Sequence, residues 1–137
     1  LYGPGDNPGK FIPDIVKRCL EGQEIDLTTG EQKRDFIHID DAVSAVNMIM
    51  ESEMEGDSGY KGYDVGTGTS TSIRKFVETV KEQCCSHSKL NFGALPSRAG
   101  EFLDVCADTK MLSATGWTPN ISIEMGVRSV IKDLRRR

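Results

Sequence analysis

Apolar residues recur along this chain in short blocks, and the period of each block names an element. Phe11, Ile12, Ile15, Val16, Cys19 and Leu20 share one face at helical spacing. Pro13 suits only a first turn, so this helix is predicted to begin near residue 12, with Gly22 ending it. EIDL, 24–27, alternates with Ile25 and Leu27 inward and predicts a short strand. RDFIHI, 34–39, is rich in β-formers and predicts another. Asp40 then reads as the N-cap of a helix, with Asp41 adding favourable charge at the same end. That helix is predicted to bury Ala42, Val43, Val46, Ile49 and Met50, and to run out into the acidic stretch ESEMEGDSG.

The second half alternates in the same way. GYDVGTG, 62–68, predicts a strand leading into a glycine-rich turn. Ser72 is predicted to cap a helix whose face is Ile73, Phe76, Val77, Val80 and Cys84. KLNFG predicts a short strand, LPSRAGE a loop, and ADTKMLSATGW a short helix capped by Asp108 and stopped by Gly116. A last helix from about Ser122 buries Ile123, Val127, Val130, Ile131 and Leu134. With LYGPGDNPG as an opening loop, the pattern gives four to five helices interleaved with four to five short strands. The fold class is α/β, a small layered α+β-like domain.

Composition narrows the partners. A chain of 137 residues, 37% hydrophobic and 28% charged, is expected to form one domain, 1–137, with an ordinary core. The net charge of −4 argues against a nucleic-acid partner. No apolar run approaches the roughly 20 residues of a membrane span, and no signal-peptide pattern is seen. The four cysteines, Cys19, Cys84, Cys85 and Cys106, form no C-x-x-C, and His38 and His87 lack ligand spacing with them. The expectation is reduced thiols in a cytoplasmic protein with no metal. Arg135, Arg136 and Arg137 read as a solvated helix end favoured by the dipole. The chain opens on Leu1 without an initiator Met, which suggests processing or a piece of something longer.

Few residues point to chemistry. GTGTST, 66–71, follows a predicted strand and precedes a helix, where a phosphate could bind, but it lacks the third glycine and the lysine of phosphate loops. A tight turn with a helix cap is the simpler account. There is no Ser-His-Asp set and no Tyr-x-x-x-Lys. His38 reads as a packed residue beside its strand. Arg34 opens a strand after a turn, and Arg98 lies in a proline- and glycine-bearing loop three residues before Glu101. Guanidinium groups suit bidentate contact with phosphate oxygens, and a nearby carboxylate can accept from sugar hydroxyls. From residue type alone, a surface charge or a structural salt bridge explains each arginine as well.

The order of several motifs adds to this. YGPGD at 2–6, GEQKRDFIHIDDAV at 30–43, YDVGTGTSTSI at 63–73, RAGE at 98–101 and DTKMLSATGWTP at 108–119 occur in one register. Together they resemble the C-terminal half of an extended short-chain dehydrogenase/reductase, among the NAD(P)-dependent nucleotide-sugar epimerases and dehydratases. EQKRDFIHIDDAV is similar in wording to the branch that includes CDP-sugar enzymes.

The resemblance implies a substrate-binding domain, normally appended to a Rossmann domain that carries the glycine fingerprint and the catalytic Tyr-x-x-x-Lys. It implies that Arg34 and Arg98 hold the diphosphate and Glu101 the ribose. Ile25, Asp26 and Leu27 would lie along the base, and Leu1, Tyr2 and Pro4 would form a hinge next to the nicotinamide. NAD or NADP would belong to the full-length protein, with none expected on this chain alone, and no catalytic residue is expected here. DLTTG lacks the aromatic residue that relatives often carry near Thr28 and Thr29, and Glu101 is one methylene longer than the aspartate of the motif. Loss of the Rossmann half would expose apolar surface through which the chain could form a homodimer. The alternatives are a stand-alone, non-catalytic module that binds a nucleotide or a protein, and a structural domain in which the arginines only make salt bridges.

Overall fold

The computed structural model describes residues 1–53 and 59–136. In chain order the elements are α1 (Phe11–Leu20), β1 (Ile25–Leu27), β2 (Lys33–Asp35), α2 (Ile39–Glu53), β3 (Ser70–Ser72), α3 (Ile73–Gln83), β4 (Leu90–Phe92), β5 (Asp104–Val105), α4 (Lys110–Ser113) and α5 (Ile123–Leu134). This is a mixed α/β fold of helices and short strands. The acidic stretch expected after α2 lies largely outside the described residues, as does Arg137.

Three amphipathic helices make the main core. α1 has Pro13 in its first turn and buries Ile15, Val16 and Cys19. α3 buries Phe76, Val77 and Val80. α5 buries Val127, Val130 and Ile131. Each presents one apolar stripe, so the three pack on one another and on the inward face of β1, where Ile25 is 0% exposed. Ser72 and Ser122 cap α3 and α5, their hydroxyls accepting from the N–H groups of Lys75 and Met125. A smaller second cluster of Ile37, Ala45, Leu112 and Trp117 lies beneath α2 and α4.

The strands form two small sheets. β1 pairs parallel with β4 in the register Leu27↔Phe92. β2 is central in the other, antiparallel to β3 and parallel to β5.

Five expectations need correcting. The strand expected over 34–39 ends at Asp35. Beyond it, the Tyr2 N–H donates to the Ile37 carbonyl and the Ile39 N–H to the Tyr2 carbonyl, a single bridge that leads straight into α2. Asp40 is therefore inside the helix. The helix start is held instead by His38, whose carbonyl accepts from Ala42 N–H and whose Nδ1 accepts from Asp40 N–H. Asp41 is buried at 3% exposure and reaches across the chain to accept from the N–H groups of Asn120 and Ile121.

The apolar face of α2 is also offset from the predicted one. Ala45 is buried, while Val43, Val46 and Met50 are 51%, 47% and 62% exposed. Residues 62–68 form no strand, because no described strand runs alongside to complete a ladder. In the short helix α4 the N-cap position is Thr109, although the Asp108 carboxylate still accepts from Lys110 N–H.

Candidate functional site

Parallel pairing places two loops side by side. β1 and β4 end together, and β2 and β5 begin together, so residues 28–32 and 93–103 make the same crossing between the sheets. The Leu27 carbonyl accepts from Gly93 and Leu95 at one end, and Lys33 N–H donates to the Leu103 carbonyl, 2.7 Å, at the other. In α/β folds the rim beyond the carboxyl ends of parallel strands is where ligands bind.

Arg34 sits in the middle of β2, opposite Val105 and Thr71. Its Nη1 donates to the carbonyls of Lys33 (2.7 Å) and Phe102 (2.9 Å). Its Nη2 meets Glu101 Oε1 at 2.8 Å. The side chains are 28% and 30% exposed, so the pair faces the surface from a partly sheltered floor. Three of the five guanidinium N–H groups are thereby engaged, and among the described residues the other two have no acceptor. Arg98 stands on the same loop, exposed, with no side-chain partner among the described residues. Phe102 and Leu103 are each 77% exposed beside it. A cleft of about 420 Å³ opens next to Arg34, lined also by Tyr63, Asp64, Gly66 and Cys106.

The structure thus brings Arg34 and Glu101 into contact and puts Arg98 on the rim with them. Ile25 and Leu27 turn into the core, which leaves Asp26 as the outward side chain of β1, bonded to Asn91 Nδ2 at 2.8 Å. Of the opening residues, Leu1 is 69% exposed and Pro4 exposed, both lining a recess of about 210 Å³. The Tyr2 ring lies in the core, edge-on to His38 and Phe76. Burial, with the charges of Glu124 and Asp41, pushes its pKa up to about 12.

Sequence reasoning missed two features of the rim. The Arg74 guanidinium lies 4.0 Å over the Phe92 ring and donates to the Thr29 carbonyl, tying α3, β4 and the first loop together. Phe102 and Leu103 were legible only as an apolar pair inside a polar loop.

The glycine-rich turn is closed from within. Thr67 N–H and its hydroxyl donate to Asp35 Oδ1, and Gly68 N–H to Oδ2. Gly66 is packed so tightly on Ala107 and Asp35 that a Cβ there would overlap them. A carboxylate already fills the place a phosphate would take, so this turn does not fit a dinucleotide. Of the cysteines, Cys106 lies exposed in the cleft beside Arg34, and desolvation with the charges of Asp35 and Asp104 raises its thiol pKa. Cys19 and Cys84 are buried in the core, and the hydrogen bond that the Cys84 thiol donates to Cys19, together with burial, raises the Cys84 pKa. Among the described residues no three His, Cys, Asp or Glu side chains gather to hold a metal, and no helix is long and apolar enough to cross a membrane.

Residues 1–66 match the NAD dependent epimerase/dehydratase family. CDP-abequose synthase of Salmonella muenchen is 38% identical over 96% of this chain and 44% of its own length. The enzyme of the same name from Salmonella typhimurium is 40% identical over 98% of the chain and 46% of its own length. The chain therefore spans less than half of these curated relatives. Among solved structures, UDP-glucose 4-epimerase of Thermotoga maritima with UDP-glucose superposes at a TM-score of 0.82 and 26% identity, covering 98% of this chain and 43% of that one. MoeE5 in complex with UDP-glucuronic acid and NAD superposes at 0.82 and 27% identity, covering 98% and 44%. The first 66 residues thus match the NAD dependent epimerase/dehydratase family, and the chain as a whole is similar in sequence and fold to these enzymes.

Proposed function

We propose that this chain is the nucleotide-sugar-binding portion of an NAD(P)-dependent epimerase or dehydratase. The observation that carries the reading is the rim itself. Two guanidiniums, one fixed on β2 and one exposed on the 93–103 loop, face solvent beside exposed Phe102 and Leu103 where two parallel strand pairs open. A nucleoside diphosphate suits that surface: its oxygens take charge-assisted bonds from Arg34 and Arg98, and its base finds apolar cover. The relatives named for CDP- and UDP-sugars support the same ligand class. Holding the diphosphate would fix the sugar for chemistry at a cofactor, and NAD or NADP would supply the hydride step when bound elsewhere in the protein. The apolar stripe of Val43, Val46 and Met50 on α2 supports a further packed unit against that side of the domain, or a second copy of the chain.

The test is calorimetric titration with CDP, UDP, GDP and dTDP, using the protein expressed from the complete reading frame that encodes this chain. At least one should bind. Arg98→Ala should weaken that binding by about 1.5–3 kcal/mol, the range for hydrogen bonds to charged groups, with the thermal midpoint unchanged. Absence of binding by all four, or an unaltered affinity in the variant, would remove the proposal.

A further inference from the structure

We propose that Cys19 and Cys84 are a redox-modification site, a dithiol that hydrogen peroxide converts to an intramolecular disulfide and a thiol reductant restores. The two residues stand 65 positions apart in the chain, and both are free cysteines of the main core. They close the ends of neighbouring helices. Cys19 lies in the last turn of α1, and Cys84 is the C-cap of α3. The chain leaving α3 is strapped to the end of α1. The Ser86 hydroxyl donates to the Cys19 carbonyl at 2.5 Å, its oxygen accepts from Ser88 N–H at 3.1 Å, and the Ser88 hydroxyl donates to the Arg18 carbonyl at 3.4 Å. With the strap in place the two side chains meet, and the Cys84 thiol donates to the Cys19 sulfur.

The surroundings give the two sulfurs different parts. The hydrogen bond from Cys84 draws the Cys19 pKa down against burial, helped by the charges of Lys81 and Arg18 and by Ser88. The proton stays on Cys84, which donates that bond and is buried. Cys19 is therefore the nucleophile. Its thiolate attacks one peroxide oxygen, the O–O bond breaks, hydroxide leaves, and Cys19 becomes a sulfenic acid. The Cys84 sulfur then attacks the Cys19 sulfur and gives its proton to the departing hydroxide, so water leaves as the S–S bond forms. Two thiols and one peroxide yield one disulfide and two waters.

Cys19 is 2% and Cys84 8% exposed, which suits a small oxidant such as peroxide. Cys85 is the exposed neighbour and lines a surface recess with His87. It is a poor partner for Cys84, because adjacent Cα atoms stand about 3.8 Å apart across a trans peptide, short of the roughly 4.4 Å a disulfide needs. α1 leads into β1 and α3 into β4, so the bond would pin together the two connections from which the parallel β1–β4 pair starts.

The experiment treats the native protein, expressed from the complete reading frame that encodes this chain, with hydrogen peroxide, blocks the remaining thiols and maps tryptic peptides. Peptides 19–33 and 82–89 should be found joined, and dithiothreitol should release them. The joined pair should persist in Cys85→Ser, a change at an exposed side chain, and vanish in Cys84→Ser. Since the thiols already touch, the bond should add little strain and raise the thermal midpoint of wild type by on the order of 5 °C, with no rise in Cys84→Ser. The wild-type peptide map needs no variant to fold. Joined peptides absent from wild type after peroxide has oxidised Cys85, a link that is lost in Cys85→Ser, or a midpoint that is unchanged or lower would overturn the proposal.

Discussion

Tyr2→Phe should make this protein more stable, and the reason is one hydroxyl. Tyr2 is 2% exposed, and its Oη is the buried side-chain polar atom without a hydrogen-bond partner among the described residues. The ring is well used, edge-on at 5.5 Å from His38 and 5.6 Å from Phe76. Phenylalanine keeps those contacts, leaves no cavity larger than an oxygen and removes a desolvated, unpaired group, a change of about 1–3 kcal/mol by mutational scales. A second signature lies in alkali. The folded pKa is pushed up to about 12 from the ordinary phenol value of 10.0, first by burial and then by the charges of Glu124 and Asp41.

Below pH 10 the phenol is protonated in both states and the full stability is present. From there upward the unfolded chain loses the proton while the folded one keeps it, so stability falls with pH until the folded phenol ionises too. Two units correspond to about 2.7 kcal/mol. Urea unfolding followed by the single tryptophan, Trp117, should show this alkaline limb in wild type and a limb shallower by that amount in Tyr2→Phe. A variant less stable than wild type at neutral pH would refute the unpaired hydroxyl. Two parallel alkaline limbs would refute the burial of the phenol.

Other substitutions probe the supports of the site. Gly126→Ala puts a methyl group into the Tyr2 hydroxyl from a helix backbone that cannot retreat, and should cost about 1–3 kcal/mol in chemical denaturation. Asp35→Ala removes the acceptor of Thr67 and Gly68, and should cost about 1.5–3 kcal/mol and raise amide exchange at both residues. Asp41→Ala frees the N–H groups of Asn120 and Ile121, should cost a similar amount, about 1.5–3 kcal/mol, and is read from the thermal midpoint with nucleotide absent.

What could be read from the chain divides along physical lines. α1, α3 and α5 were legible because each carries a full apolar stripe at its own period and spends it on a shared core. α2 misled because two stripes compete on it. The larger side chains Val43, Val46 and Met50 drew the reading, while the buried position is the small Ala45. β3 and β5 escaped notice since a strand of two or three residues has no period of its own; pairing with β2 makes it one. The arginines of the rim were found through a resemblance of ordered motifs. Their geometry was not, because Arg34 and Glu101 are 67 residues apart and meet only through the parallel β2–β5 register. Asp35 was read as a strand residue, and nothing in its spacing from Thr67 shows that it closes the glycine turn.

The two arginines differ in a way that bears on how such a rim would work. Arg34 is anchored by three acceptors on the central strand of its sheet, so little rotamer freedom remains to be lost when an anion arrives. Arg98 projects from an exposed loop with no side-chain partner among the described residues, and fixing it would cost on the order of 1 kcal/mol or more of conformational entropy. For a diphosphate this asymmetry assigns separate tasks. On the proposed reading, the fixed guanidinium would set where the phosphates lie relative to both sheets, and the free one would close over them once that position is taken. Arg34→Lys, which keeps the charge but loses the planar fork, should then disturb ligand geometry more than its charge suggests. Arg98→Lys should be milder, because a point charge on a free side chain can still find the anion.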